Sequence, residues 1–212
     1  MLTEDNCIKE LKDGKVSLLM KLEGMKWCDR FEVVGKKAVI LAVNSGYQPK
    51  VVVYESNKLV HTSTNEFMNH ESVFIEGSKV YFPSEAKQEL IEFDLDTFEE
   101  KALMQEVAMM TAAPGQRDFL AVSDAGFLQT REGNRELREV FPRMGDCDWT
   151  AVISVGCFAV LAGWSQFSLS DGSELPKSCN HFLLVFPQTL EVVNQANPLS
   201  MKWSQEGSTS FR

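Results

Sequence analysis

Phe31-Glu-Val-Val-Gly35-Lys-Lys-Ala-Val-Ile-Leu-Ala-Val43 is the stretch on which the fold turns. Two runs rich in Val, Ile, Leu and Ala flank a glycine and a pair of lysines. β-branched side chains suit a pleated strand. A glycine supplies the backbone angle that a tight reversal needs. The segment therefore predicts a β-hairpin. The same plan recurs in Val73-Phe-Ile-Glu-Gly77-Ser-Lys-Val-Tyr-Phe82, in Thr111-Ala-Ala-Pro-Gly115-Gln-Arg-Asp-Phe-Leu-Ala-Val122 and in Ala151-Val-Ile-Ser-Val-Gly156-Cys-Phe-Ala-Val-Leu-Ala-Gly163. The glycines at 35, 77, 115 and 156 stand 42, 38 and 41 residues apart.

A third run follows each hairpin: Val51 to Glu55, Leu90 to Asp96, Phe127 to Arg131 and Phe182 to Phe186. A polar turn and a short fourth run come next: Lys58 to Thr62, Glu100 to Leu103, Glu136 to Val140 and Glu191 to Val193. Four strands in about 40 residues is the size of one propeller blade. The expected fold is all-β, a β-propeller of about five four-stranded blades in a single domain, 1–212. The repeats run roughly 25–67, 68–108, 109–143 and 144–200, the last lengthened by an insertion from Trp164 to Asn180. Met25, Met68, Met109, Met144 and Met201 recur where one repeat hands over to the next, and Met25-Lys-Trp27 matches Met201-Lys-Trp203.

Ser84 to Met110 has no Gly or Pro and is rich in good helix formers, so a helix competes there. Ile91, Phe93 and Leu95 alternate with Glu92, Asp94 and Asp96, the period of a half-exposed strand, and strand is the reading adopted. At the N-terminus, Lys12-Asp-Gly-Lys15 between two apolar-containing runs is a hairpin signal, but the run that opens the other repeats is missing. Residues 201–212 hold that opening Met-Lys-Trp. The expectation is that 201–212 and 1–22 form one composite blade, which would remove exposed sheet edges and leave a monomer.

The 212 residues carry a net charge of −9 and an apolar fraction of 44%. That apolar content supports a packed core. The acidic balance argues against nucleic acid or an anionic membrane as partner. Five cysteines at long, irregular spacings include no C-x-x-C, and the three histidines form no metal-ligand pair. No metal or other cofactor is expected. The first residues, Met-Leu-Thr-Glu-Asp-Asn, lack a signal-peptide pattern, and the longest nearly apolar run, Thr150 to Gly163, is too short to span a bilayer. Together these features lead to the expectation of a reducing, cytoplasmic setting.

The repeat resembles the kelch family. A kelch blade runs strand, G-x, Y-V-x-G-G, loop, V-x-x-Y-D-x-x-T-x-x-W, strand, M. Gly77-Ser-Lys-Val-Tyr-Phe82, Ile91-Glu-Phe-Asp-Leu-Asp-Thr-Phe98 and Met109 follow that course. So do Val155-Gly-Cys-Phe-Ala-Val-Leu-Ala-Gly163, Leu184-Val-Phe-Pro-Gln-Thr-Leu190 and Met201. The likeness covers about 25–203. Its Gly-Gly doublet is replaced by Ala42-Val43, Pro83-Ser84 and Ala162-Gly163, and Phe98 stands where a tryptophan belongs. The resemblance implies a protein-interaction module that recruits a target.

No G-x-S-x-G, P-loop or G-x-G-x-x-G is present. Ser168-Leu-Ser-Asp-Gly-Ser173 reads as a polar loop with an Asp-Gly turn. The acidic cluster Asp94, Asp96, Glu99 and Glu100 reads as a solvated strand face in preference to a weak cation site. The expected function is non-catalytic binding of another protein. The alternatives are a propeller enzyme acting on a carbohydrate or small molecule, and a structural piece of a larger assembly. Loops joining second and third strands should emerge beside those joining blades, and binding hot spots favour Trp, Tyr and Arg. Arg30, Tyr47, Arg143 and Trp164 are therefore the candidate partner-binding residues. Arg30 has the alternative of pairing with a carboxylate to hold a blade junction. Trp27, Trp149 and Trp203, at the junctions, are expected to be buried between blades, and Trp164 is expected to open an exposed loop.

Overall fold

The computed structural model describes residues 2–3, 7–111, 119–124, 127–130, 133–136, 148–155, 158–167, 177–185 and 192–196. They form five antiparallel sheets met in chain order. The first has three strands, β1 (Leu2–Thr3), β2 (Cys7–Lys12) and β3 (Lys15–Lys21). The second holds β4 (Met25–Val34), β5 (Lys37–Asn44), β6 (Pro49–Glu55) and β7 (Lys58–Thr62). The third holds β8 (Phe74–Glu76), β9 (Lys79–Ser84), β10 (Glu89–Asp94) and β11 (Glu100–Met104). The fourth holds β12 (Val107–Thr111), β13 (Leu120–Ser123), β14 (Phe127–Thr130) and β15 (Gly133–Glu136). The fifth holds β16 (Asp148–Val155), β17 (Phe158–Phe167), β18 (Lys177–Val185) and β19 (Val192–Ala196). In every sheet each strand pairs with its neighbours in sequence.

The runs in β5 and β6 are apolar without a break because both of their faces are covered. Val39, Leu41, Val51 and Val53 meet Val80, Phe82, Ile91 and Phe93 of the third sheet. Their alternates Ile40, Ala42, Val52 and Tyr54 meet Ile8, Met20 and Leu22 of the first. The third sheet repeats the arrangement. Phe74, Tyr81 and Leu90 turn away from that core toward Phe119, Ala121 and Met110 of the fourth. A side-chain period of two thus sends alternate residues into two different cores. Each fully buried Val, Leu, Ile or Phe contributes about 1.5–3 kcal/mol. Four-stranded meanders stacked face to face in sequence order make this chain a β-propeller.

The turns follow from their residues. Gly35 and Gly77 sit at φ +61° and +55° between the first two strands of their blades. Asp13 and Gly14, at φ +50° and +72°, close the β2–β3 hairpin, as an Asp-Gly pair favours. Gly115 and Gly156 lie outside the described residues, as does 197–212, so the composite blade involves a segment not described. Ser84 to Met110 is strand and turn, not helix. Two details correct the sequence reading. The fourth strand of the fourth sheet is Gly133–Glu136, ahead of the Glu136 to Val140 run, and it pairs from Phe127↔Glu136 to Thr130↔Gly133. Both arms of the supposed insertion are strand. β17 and β18 pair from Ala159↔Val185 out to Trp164↔Asn180 and Phe167↔Lys177.

Candidate binding surface

The connection from β5 to β6 is a tight turn built by Asn44. Its side-chain Oδ1 accepts from the backbone N–H of Gly46 at 2.9 Å and of Gln48 at 3.0 Å. Its own N–H donates to the Gln48 carbonyl, and its carbonyl accepts from Tyr47 N–H, both at 3.0 Å. An asparagine side chain that reproduces a backbone turn is a common local device. The turn holds Tyr47 at φ +64°, a left-handed backbone that a bulky residue seldom adopts. The Tyr47 side chain is thereby lifted off the sheet and is 65% exposed.

Tyr47 does not stand alone. Its ring meets that of Trp27 edge-on, with centroids 6.0 Å apart and planes at 75°. The ammonium of Lys26 lies 3.3 Å from the Tyr47 ring centroid and 5.5 Å from that of Trp27. Consecutive residues of a regular strand point to opposite faces. Here the β4–β5 register slips between Met25 and Trp27, so Met25 pairs with Asn44 and Trp27 with the adjacent Val43. That bulge places Lys26 and Trp27 together beside Tyr47, a re-aiming typical of bulges. Trp27 is 41% exposed, which corrects the expectation that it is buried between blades.

Around this cluster the loops form one rim. Ser45 N–H donates to the Gly24 carbonyl, Phe67 to Pro49, Glu85 to Glu66, Val107 to Gln88 and Asp124 to Glu106. Second-to-third-strand loops and blade junctions therefore alternate along the same edge. Gln48 Nε2 donates to Glu66 Oε1 at 2.6 Å, and the Lys50 ammonium stands 3.9 Å from the same carboxylate. The rim carries Glu23, Glu66, Glu85, Glu106 and Asp124.

The other candidates are placed differently. Arg30 lies in β4; its Nη1 donates to the Val73 carbonyl at 2.9 Å, and its Nη2 pairs with Glu32. The first contact reaches the segment that leads into the third blade, while the carboxylate partner lies within β4 itself. Trp164 is a strand residue of β17 and opens no loop. Arg143 lies outside the described residues, as do Trp203 and Ser168 to Ser173. The structure thus brings Tyr47 together with two residues not singled out for binding, Lys26 and Trp27. The matching Met-Lys-Trp tripeptides are the signal in the sequence that marks them.

The acidic cluster is taken up by the fold. Asp94 pairs with Lys79 at 2.8 Å, Asp96 with Lys37 at 2.9 Å, and the Glu100 carboxylate accepts from Thr64 N–H and from Asn65. The Lys79 ammonium and two backbone N–H groups hold the Asp94 carboxyl down at about 2. Cys28, next to Trp27, is a free thiol pushed up to about 11 by burial and then by the Asp29 carboxylate. It therefore stays protonated near neutrality and is a poor nucleophile. Among the described residues no three His, Cys, Asp or Glu side chains are grouped to hold a metal ion, and no helix is long and apolar enough to cross a membrane.

No protein-family model matches the chain, and no curated protein matches it. It is similar to BamB from Moraxella catarrhalis at 10% identity and a TM-score of 0.40, over 92% of this chain and 62% of that one. It is also similar to the WD40 domain of SCAP from fission yeast at 9% identity and a TM-score of 0.36, over 86% and 55%. A chain of the nidogen/laminin complex gives 7% identity and a TM-score of 0.34, over 92% of each. The chain thus spans less than two thirds of the first two. The kelch resemblance finds no counterpart among them.

Proposed function

We propose that this propeller is a non-catalytic protein-interaction module, a kelch-like scaffold that recruits another protein to its loop rim in a reducing, cytoplasmic setting. One observation carries the reading. Trp27 and Tyr47, the two residue types most enriched at binding hot spots beside arginine, stand exposed on a turn whose backbone is fixed by Asn44. A rigid turn lowers the ordering cost of an interface. The test is a pulldown from the source cell with the wild-type protein and with a Trp27→Ala/Tyr47→Ala variant of matched melting temperature. A protein retained by the first and lost by the second is the expected result. Equal retention by both, or turnover of a small substrate by the purified chain, overturns the reading.

A further inference from the structure

Two aromatic rings at nearly a right angle make a corner, and a corner presents two π faces to one point in space. In this chain that point is occupied by a cation. The Lys26 ammonium is 3.3 Å from one ring centroid and 5.5 Å from the other, inside the range over which a ring quadrupole attracts positive charge. Lys26 is exposed, Tyr47 projects from a loop, and the β4 bulge that brings them together sits at the strand's first residues.

Charge points the same way. The chain carries −9 overall, and on this rim Glu23, Glu66, Glu85, Glu106 and Asp124 outnumber Lys26, Lys50 and Lys87, with Lys50 set against Glu66. An acidic rim draws a cationic partner and repels an anionic one.

We propose that the Trp27–Tyr47 corner is a binding site for an alkylammonium group, the chemistry of a lysine side chain on a basic segment of a partner protein, and that Lys26 fills the corner as a built-in competitor until the partner displaces it. The proposal rests on the interaction reading given above and names the chemistry that this rim selects. A ligand that must displace an internal group has its apparent Kd raised by the reciprocal of the fraction of time the site is empty. Lys26 therefore sets the threshold for binding.

The site can be read directly from the Trp27 indole N–H resonance, assigned by its loss in Trp27→Phe. The probe is a short uncharged-flank peptide carrying one trimethyl-lysine, titrated against the full chain. Wild type should show a weak, saturable shift. Lys26→Ala should bind about two- to fivefold tighter, the size of one exposed cation–π contact. Lys26→Arg should stay near wild type, and Tyr47→Ala should show no saturable shift. A control peptide with the neutral tert-butyl isostere of the trimethylammonium group should not bind. Equal binding of the two peptides would overturn the cation site, and so would a Lys26→Ala affinity no tighter than wild type. If the probe fails while a captured protein still depends on Trp27 and Tyr47, the ammonium chemistry is wrong and the interaction reading stands. If the probe binds as expected but no protein depends on the rings, the site stands and the scaffold reading falls.

Discussion

Two turns on opposite rims of this propeller use the same device for different ends. In the turn after β5, Asn44 Oδ1 accepts from two backbone N–H groups and Tyr47 is left-handed at φ +64°. In the turn after β10, Asp94 Oδ1 accepts from Asp96 N–H at 2.7 Å and Thr97 N–H at 3.0 Å, and Phe98 is left-handed at φ +61°. Each aromatic also has a lysine ammonium over its ring, Lys26 in one case and Lys37 at 5.4 Å in the other. The difference lies in what the ring meets. Phe98 stacks on His61, with centroids 4.8 Å apart and planes at 7°, and on Phe93 beyond. Tyr47 meets a half-exposed Trp27 with the two ring planes at 75°. The same local chemistry thus closes a seam between blades on one rim and presents a ring to solvent on the other.

The largest effect should come from the seam. Phe93 is fully buried between the second and third sheets. Phe93→Ala is expected to cost about 3–5 kcal/mol through lost burial and a cavity, read by denaturant or thermal unfolding. A cost under about 1 kcal/mol would mean that the two blades do not pack as described.

Replacing the left-handed aromatic by glycine separates the two turns most cleanly. Glycine relieves the backbone at either place. Phe98→Gly also deletes the stack on His61 and should destabilise by about 1–2 kcal/mol. Tyr47→Gly removes an exposed ring and should leave stability within about 0.5 kcal/mol of wild type, or raise it, while abolishing capture of the partner. Equal losses of stability at the two sites would erase the distinction.

Acid provides a smaller and more selective probe. The Asp94 carboxyl is lowered from its ordinary 3.8 to about 2 by Lys79 and the turn N–H groups. A lowered carboxylate stabilises the fold above its unfolded value and loses that contribution as pH falls through its folded value. The Asp94 contribution is therefore complete above about pH 4 and disappears toward pH 2. Asp94→Asn should flatten the acid limb of the stability curve in that window, whereas Asn44→Ala, which removes no ionisable group, should leave the shape of that limb unchanged. An unaltered acid limb in Asp94→Asn would show that the Lys79 pair does not persist in solution.

Much of this was written in the local sequence. A glycine every 38 to 42 residues between β-rich runs suffices for hairpins, because turn chemistry acts over a few residues. Four runs per repeat suffice for blades, and Lys12-Asp-Gly-Lys15 for a hairpin of its own. The alternation through Ile91, Phe93 and Leu95 outweighed the helix formers between Ser84 and Met110, since burial of one strand face is worth more than intrinsic propensity. Tyr47 was legible as a candidate in its loop; tertiary structure alone decided what stands beside it. Whether Trp27 is a core ring or a surface ring depends on a one-residue slip against β5, and pairing register is a contact between distant residues. Whether Arg30 reaches a partner or the Val73 carbonyl depends on a neighbour 43 positions away. Whether Tyr47 and Phe98, set in like turns, face water or a neighbouring blade depends on which blade stands beside them. Local sequence encodes the turn; only the packed fold supplies what the turn confronts.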